Sequence, residues 1–216
     1  MKLSHLDLKI MTKITTTRKI KTATTKAKSP QKKTTPKPIP KLHPRPLAFE
    51  ILDLVSKQRT KAKKIEVLKT YEEVSLKIIL IWNFDESVVS VLPPGDVPYT
   101  GYDEQNVYSG TLSTKITEEI RKMHDTGSFS LGSSDKQGHT TIRREAKNFY
   151  HFVKGGNDRM NMIRRETMFI NILEGLHPLE AEIVTLCKDK RLGEVYKITR
   201  EIVEEAYPDI QWGNRG

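Results

Sequence analysis

Two arginine pairs are the residues best suited to chemistry. "TIRREAKNFYHF" (141–152) and "MIRRETMFINIL" (162–173) share Ile-Arg-Arg-Glu followed by a hydrophobic run. A guanidinium is a planar fork of donors that matches phosphate or carboxylate two bonds at a time. On a helix, an arginine is neutralised locally by an acid three or four positions away. Arg143, Arg144, Arg164 and Arg165 have no acid at those spacings. Each must therefore look beyond its own helix, either to phosphate or to a cross-helix partner. Glu145 and Glu166 likewise lack a basic residue at helical spacing. Glu166 falls inside the apolar arc of its helix, and a half-buried carboxylate needs a partner. An arginine of the sister motif is the expected one, so the pairs lean towards architecture.

Other chemistries find little support. The histidines are His5, His43, His124, His139, His151 and His177. None stands in metal-type spacing with cysteine, and there is no His-Glu-x-x-His. Phosphate-binding loops and dinucleotide fingerprints are absent; Gly155-Gly156 reads as a helix stop. Asp103-Glu104 sits in a loop. Cys187 shares an apolar helical face with Ile183 and Val184, where a thiol is inert. No catalytic residue, metal or cofactor is expected, and the chain reads as a non-enzyme.

The positioning elements are helical. Helices are expected over 47–58 with Pro46 at its first position, over 61–71 capped by Thr60, and over 72–84. Asp85 should cap a short helix over 86–92, stopped by Pro93-Pro94. "PPGDVPYTGYDEQNVYSGT" (93–111) reads as a loop in which Tyr99, Tyr102 and Tyr108 are amphipathic anchors for a partner. A polar helix over 113–125 carries Ile116, Ile120 and Met123, followed by a loop over 126–140. Long loops on either side make about 93–140 an inserted region. In the first arginine motif, Ile142, Ala146, Phe149 and Val153 follow helical spacing. In the second, Met162, Ile163, Phe169, Ile170, Leu173 and Leu176 span a wide apolar arc. Pro178 opens the next helix, and Thr199 caps the last, "REIVEEA". Only "GEVYKI" (193–198) alternates like a strand. The fold class is therefore all-α, with a minor β-element expected near 193–198. One helical domain spans 47–210, with a C-terminal tail over 211–216.

The charge is unevenly placed. The chain of 216 residues carries +10. Residues 1–46 hold 13 Lys/Arg and one acid, Asp7, for +12, which leaves 24 basic and 26 acidic residues after them, for −2. The leader is rich in lysine, threonine and proline and cannot bury enough apolar surface to offset its ordering entropy. It reads as a disordered cationic arm. Lys13, Arg18, Lys19, Lys21, Lys26, Lys28, Lys32, Lys33, Lys37, Lys41 and Arg45 are its candidate nucleic-acid contacts, sequence-blind and salt-sensitive. A solubilising extension or a targeting peptide would have the same composition, and Met11 opens an equally good start. A single cysteine excludes an internal disulfide framework and fits a reducing cytoplasm. The longest apolar run, 74–84, is too short for a membrane span and contains Lys77.

From Leu47 to Ile210 the chain resembles a family of uncharacterised small proteins of T4-like tailed phages, notably those of marine cyanobacteria. The resemblance rests on "VSKQRTKAKKIEVLKTY", "FDESVVSVLPPGDVPY", "REAKNFYHFVKGG", "RRETMFINILEGLHPLEAEIVTLCKDK" and "EEAYPDI". It implies a phage origin and a host-cell setting, and supplies no activity and no catalytic residues. The leader and the stretch from Ser109 to Thr140 are longer than the family's pattern. Two functions are compatible with these readings. In one, the body docks on a phage or host protein while the arm holds nucleic acid. In the other, the chain is an interaction or virion-associated structural module without a nucleic-acid role.

Overall fold

The computed structural model describes residues 40–102, 107–126 and 139–214. The chain divides after Pro38, and the unit Ile39–Gly216 contains all the described residues. The leader cations from Lys13 to Lys37, the Asp103-Glu104 pair and the side chains of Tyr99, Tyr102 and Tyr108 lie outside the described residues.

The described body is all-α around one apolar core. Helices α1 (Ala48–Ser56), α2 (Lys61–Thr70) and α3 (Val74–Phe84) open it. Leu52, Val55, Val67, Leu68, Ile79 and Leu80 are fully enclosed there. Thr60 caps α2 by accepting the Lys63 N–H at 3.4 Å, as its residue type predicts. Helix α1 starts two residues later than Pro46 at the first position suggests: Leu47 is its cap, and Glu50 accepts the Leu47 N–H at 2.7 Å. The body also begins upstream of Leu47, because Pro46 is buried and the Leu42 N–H donates to the Tyr71 hydroxyl at 2.8 Å.

No helix forms over 86–92. Asp85 instead accepts from the Ser87 N–H at 3.0 Å and the Ser87 hydroxyl at 2.8 Å, closing a turn. The β-branched run then extends, and Ser90 bridges antiparallel to Val153. The Val91 N–H donates to the Phe152 carbonyl and the Lys154 N–H to that of Val89. A local capping signal thus yields to a distant backbone partner.

The β-structure also lies elsewhere than expected. Strands β1 (Pro98–Tyr102) and β2 (Val107–Thr111) pair antiparallel, with Pro98 opposite Thr111 and Tyr102 opposite Val107. The tyrosines, Thr100 and Val107 suit a pleated ribbon, which the Pro/Gly content of the stretch obscures. The 193–198 stretch is helical over its first four residues: α8 (Leu192–Tyr196) buries Leu192 and Tyr196 one turn apart and ends on Lys197 at φ 53°. Six residues of alternation also satisfy i, i+4 spacing, and Leu192 is anchored by its N–H to the Asn83 side-chain oxygen at 3.0 Å.

Helix α4 (Leu112–Thr126) follows the hairpin and packs against α7 (Pro178–Lys188), burying Leu112 and Ile116. Leu112 and Ile116 thereby join the core. The first arginine motif starts as an α-helical turn, α5 (Ile142–Glu145), and continues as a 3-10 helix over Ala146–Phe152. The second forms α6 (Met162–Gly175). Helix α9 (Arg200–Ala206) packs on α2, where the Tyr207 hydroxyl donates to the Leu68 carbonyl at 2.7 Å. The C-terminal tail expected from 211 is docked at least to Gly213. Trp212 packs on the core, and the Gly213 N–H donates to the Asp85 carboxylate at 3.0 Å.

Candidate functional site: the cleft between the arginine motifs

The two arginine motifs repeat in letters and not in faces. Ile142 is 0% exposed whereas Ile163 is 77% exposed, and Met162 is exposed as well. In α6 the inward positions are Arg165, Phe169, Ile172 and Leu173, a phase in which the isoleucine of the motif points out. Matching sequence therefore gives the four arginines different tasks.

Arg143 forms an ion pair with Glu73, the residue at the N-terminal cap of α3, and its Nη2 also donates to the Pro46 carbonyl at 3.2 Å. Burial raises the Glu73 pKa, but bonds from Arg143 and Ser75 outweigh it and hold the carboxyl below its ordinary range. Arg144 donates to the His139 carbonyl at 3.4 Å. Arg165 is 5% exposed and donates to the carbonyls of His151, Asn157 (2.9 Å) and Met160 (3.0 Å). It ties the 3-10 helix and the following turn to α6. Arg164 is exposed, with no side-chain hydrogen bond or ion pair among the described residues.

The expected pairing of Glu166 with a sister-motif arginine does not form. Glu166 is half-buried and has no ion-pair partner among the described residues; of the sister-motif arginines, Arg143 pairs with Glu73 and Arg144 donates to the His139 carbonyl. Glu145 is satisfied by neutral donors, the Thr140 hydroxyl at 2.6 Å and the Asn148 amide at 2.8 Å.

Between the motifs lies a cleft of about 850 Å³, lined by Thr140, Glu145, His151, Asn157, Arg159, Met160, Arg164, Thr167, Met168, Asn171 and Ile172. Its apolar lining residues are Met160, Met168 and Ile172, and its cations are Arg159 and Arg164, neither with a carboxylate partner among the described residues. The His151 Nδ1 lies 2.9 Å from the Asn157 side-chain nitrogen. An amide nitrogen only donates, so Nδ1 is the acceptor in this contact. The turn below requires glycine: Gly155 has φ 78°, and a Cβ on Gly156 would lie 1.9 Å from the Tyr150 carbonyl oxygen. Cations, amides and hydroxyls stand in this lining beside one carboxylate, that of Glu145. Arg159, Asn157 and Asn171 carry no periodic signal in the sequence, because the cleft is assembled from a turn and a helix face.

A second polar centre organises the helix ends. Glu180, 1% exposed on α7, accepts the Ala48 N–H and the Ile142 N–H, each at 3.1 Å, and so caps α1 and α5 together. Burial pushes its pKa up, against those two bonds and the positive charge of Arg143. His177 caps α7 by accepting the Leu179 N–H at 3.2 Å and stacks on Phe49 with ring centroids 4.7 Å apart. Burial lowers its pKa, opposed by Glu50. Cys187 is fully enclosed, and burial pushes its thiol well up. Lys41 and Arg45, the leader cations within the described residues, are exposed at the start of the body. No group of three histidine, cysteine, aspartate or glutamate side chains suited to a metal ion occurs among the described residues. No described helix is long and apolar enough to cross a membrane.

Residues 51–136 and 129–194 match a protein family whose description is a family of unknown function (DUF6433). The matched residues include both arginine motifs and the lining of the cleft. No curated protein and no solved structure matches the chain. The two matched segments together span most of the chain, which thus belongs to this family of unknown function (DUF6433).

Proposed function

We propose that this chain is a non-enzymatic phage accessory protein: its basic leader holds nucleic acid without sequence preference, and its helical body docks on a phage or host protein in the host cytoplasm. The observation that carries this reading is the partition of charge, +12 over residues 1–46 against −2 over the remainder. Lysines on an unpatterned chain act as point charges for a polyphosphate and need no fixed geometry. The resemblance to T4-like phage proteins supports the host-cell setting. Binding is favoured over catalysis at the cleft because the Glu145 carboxylate is already bonded to Thr140 and Asn148, and His151 is oriented by an amide, not a carboxylate.

The test is fluorescence anisotropy with random-sequence DNA and RNA over a salt series. It compares the full chain with a full-length variant in which the eleven candidate cations from Lys13 to Arg45 are glutamine. If six or more cations engage phosphate, the full chain loses about a thousandfold in affinity between 50 and 200 mM salt. The variant should bind weakly, with a flat salt dependence. Equal binding by both proteins, or by neither, overturns the reading. The interaction-module alternative, without nucleic acid, is favoured by the outward-facing Met162 and Ile163. It would be supported by a partner retained after nuclease treatment together with no anisotropy change.

A further inference from the structure

Two cations line the cleft between the arginine motifs without a partner from the body. Neither the Arg159 nor the Arg164 guanidinium makes a hydrogen bond or ion pair among the described residues. Several other exposed arginines are matched: Arg143 to Glu73, Arg191 to Glu194 and Arg200 to Glu204. The carboxylate of the lining, Glu145, already accepts from Thr140 and Asn148. Asp158, beside Arg159 in the chain, accepts the Gly155 N–H at 3.2 Å. Two guanidiniums on one concave surface thus lack an anion among the described residues, and each is a fork suited to phosphate.

The remainder of the lining bears on what the anion is attached to. About 850 Å³ is far more than a phosphate fills, and it lies in the range of pockets that take small organic molecules. Met160 and Met168 bring thioethers, which pack well on aromatic rings. Asn171 brings an amide with a donor and an acceptor and no bond among the described residues. The Asn157 amide nitrogen donates to His151, which leaves its side-chain oxygen as an acceptor. Amides of this kind match the donor and acceptor edges of a nucleobase. The wall is also set in advance. Arg165 donates to the Asn157 and Met160 carbonyls at 2.9 and 3.0 Å and fixes the turn that carries both, which lowers the ordering cost of binding.

We infer that the cleft binds a nucleotide, with its phosphate on Arg159 and Arg164 and its base against Met160 and Met168. An inorganic anion would use the arginines alone, and an uncharged apolar ligand would leave them unmatched. A free nucleotide and a nucleotide unit of a single strand share this chemistry. The site goes beyond the function proposed above and uses no leader residue.

The test uses the full-length variant with glutamine at the eleven leader cations, so that phosphate attraction measured on it belongs to the body. The probes are adenosine 5′-monophosphate, adenosine, inorganic phosphate and the trinucleotide ApApA. Titration calorimetry gives the affinities, and ¹³C-methyl methionine spectra locate the ligand. The monophosphate should move the Met160 and Met168 methyls, assigned by Met160→Leu and Met168→Leu, and leave that of the exposed Met162 in place. It should bind at least about tenfold tighter than adenosine or inorganic phosphate, because each of these makes only part of the contacts. Arg159→Gln and Arg164→Gln should each weaken it about tenfold. Neither side chain bonds to the fold, and circular dichroism verifies that both variants keep it. Tighter binding of the trinucleotide than of the monophosphate assigns the site to a strand, and equal or weaker binding assigns it to a free nucleotide. The inference is overturned if the Met160 and Met168 methyls stay in place, if adenosine or inorganic phosphate binds as tightly as the monophosphate, or if both arginine variants bind it like their parent. Failure of these titrations leaves the salt-dependent binding of the leader standing, and loss of leader binding leaves the cleft result standing.

Discussion

Replacing Arg165 by methionine keeps most of the buried stem and removes a guanidinium that holds three backbone carbonyls, those of His151, Asn157 and Met160. Hydrogen bonds to a charged donor contribute roughly 1.5–3 kcal/mol each, and relief of the desolvated charge returns part of that sum. A net loss of about 3 kcal/mol follows, or a fall of about 6–12 °C in Tm for a domain of this size. The sister position provides the control. Arg164 has the same side chain, one residue away, but is exposed, with no side-chain hydrogen bond or ion pair among the described residues. Arg164→Met should therefore change stability by no more than about 0.5 kcal/mol. Urea unfolding followed by far-ultraviolet circular dichroism measures both variants. Amide hydrogen exchange across 153–161 should accelerate in Arg165→Met alone, because that turn loses its tie to α6. Equal destabilisation by the two variants, or a loss below about 1 kcal/mol for Arg165→Met, would refute the division of labour within the motif.

Two further outcomes follow from buried ionisable groups. Burial raises the folded-state pKa of Glu180, so the folded protein holds that proton more tightly than the unfolded chain. Its contribution is then greatest below the ordinary value of 4.5 and declines as pH rises through the raised folded pKa. The stability advantage of wild type over Glu180→Gln should accordingly shrink from pH 4 towards neutrality, and an advantage that grows with pH contradicts the assignment. Cys187 should resist a water-soluble thiol reagent in the native state and react at the rate of global unfolding, since it is fully enclosed. Rapid native labelling would show that α7 opens locally.

The residue order by itself determines the helices of this protein where a periodic apolar stripe meets a local stop or start. The Thr60 cap, Pro178 at the start of α7 and the inward face of Ile142, Ala146 and Phe149 were all legible, because caps and stripes act over a few residues. The separation of a +12 leader from a −2 body is equally a property of sequence. Tertiary structure decided everything that needed a distant partner. The 86–92 segment extends because Phe152 and Lys154 offer it backbone bonds, and 192–196 coils because Asn83 anchors its start at Leu192. The cleft residues Asn157, Arg159 and Asn171 come together only through the turn that Arg165 ties down. The sharpest case is the repeated Ile-Arg-Arg-Glu. Its two copies carry the same propensities, yet Ile142 faces inward and Ile163 outward. Which face of a short helix is buried is set by the apolar surface that the rest of the chain presents to it, and no window of four residues contains that information.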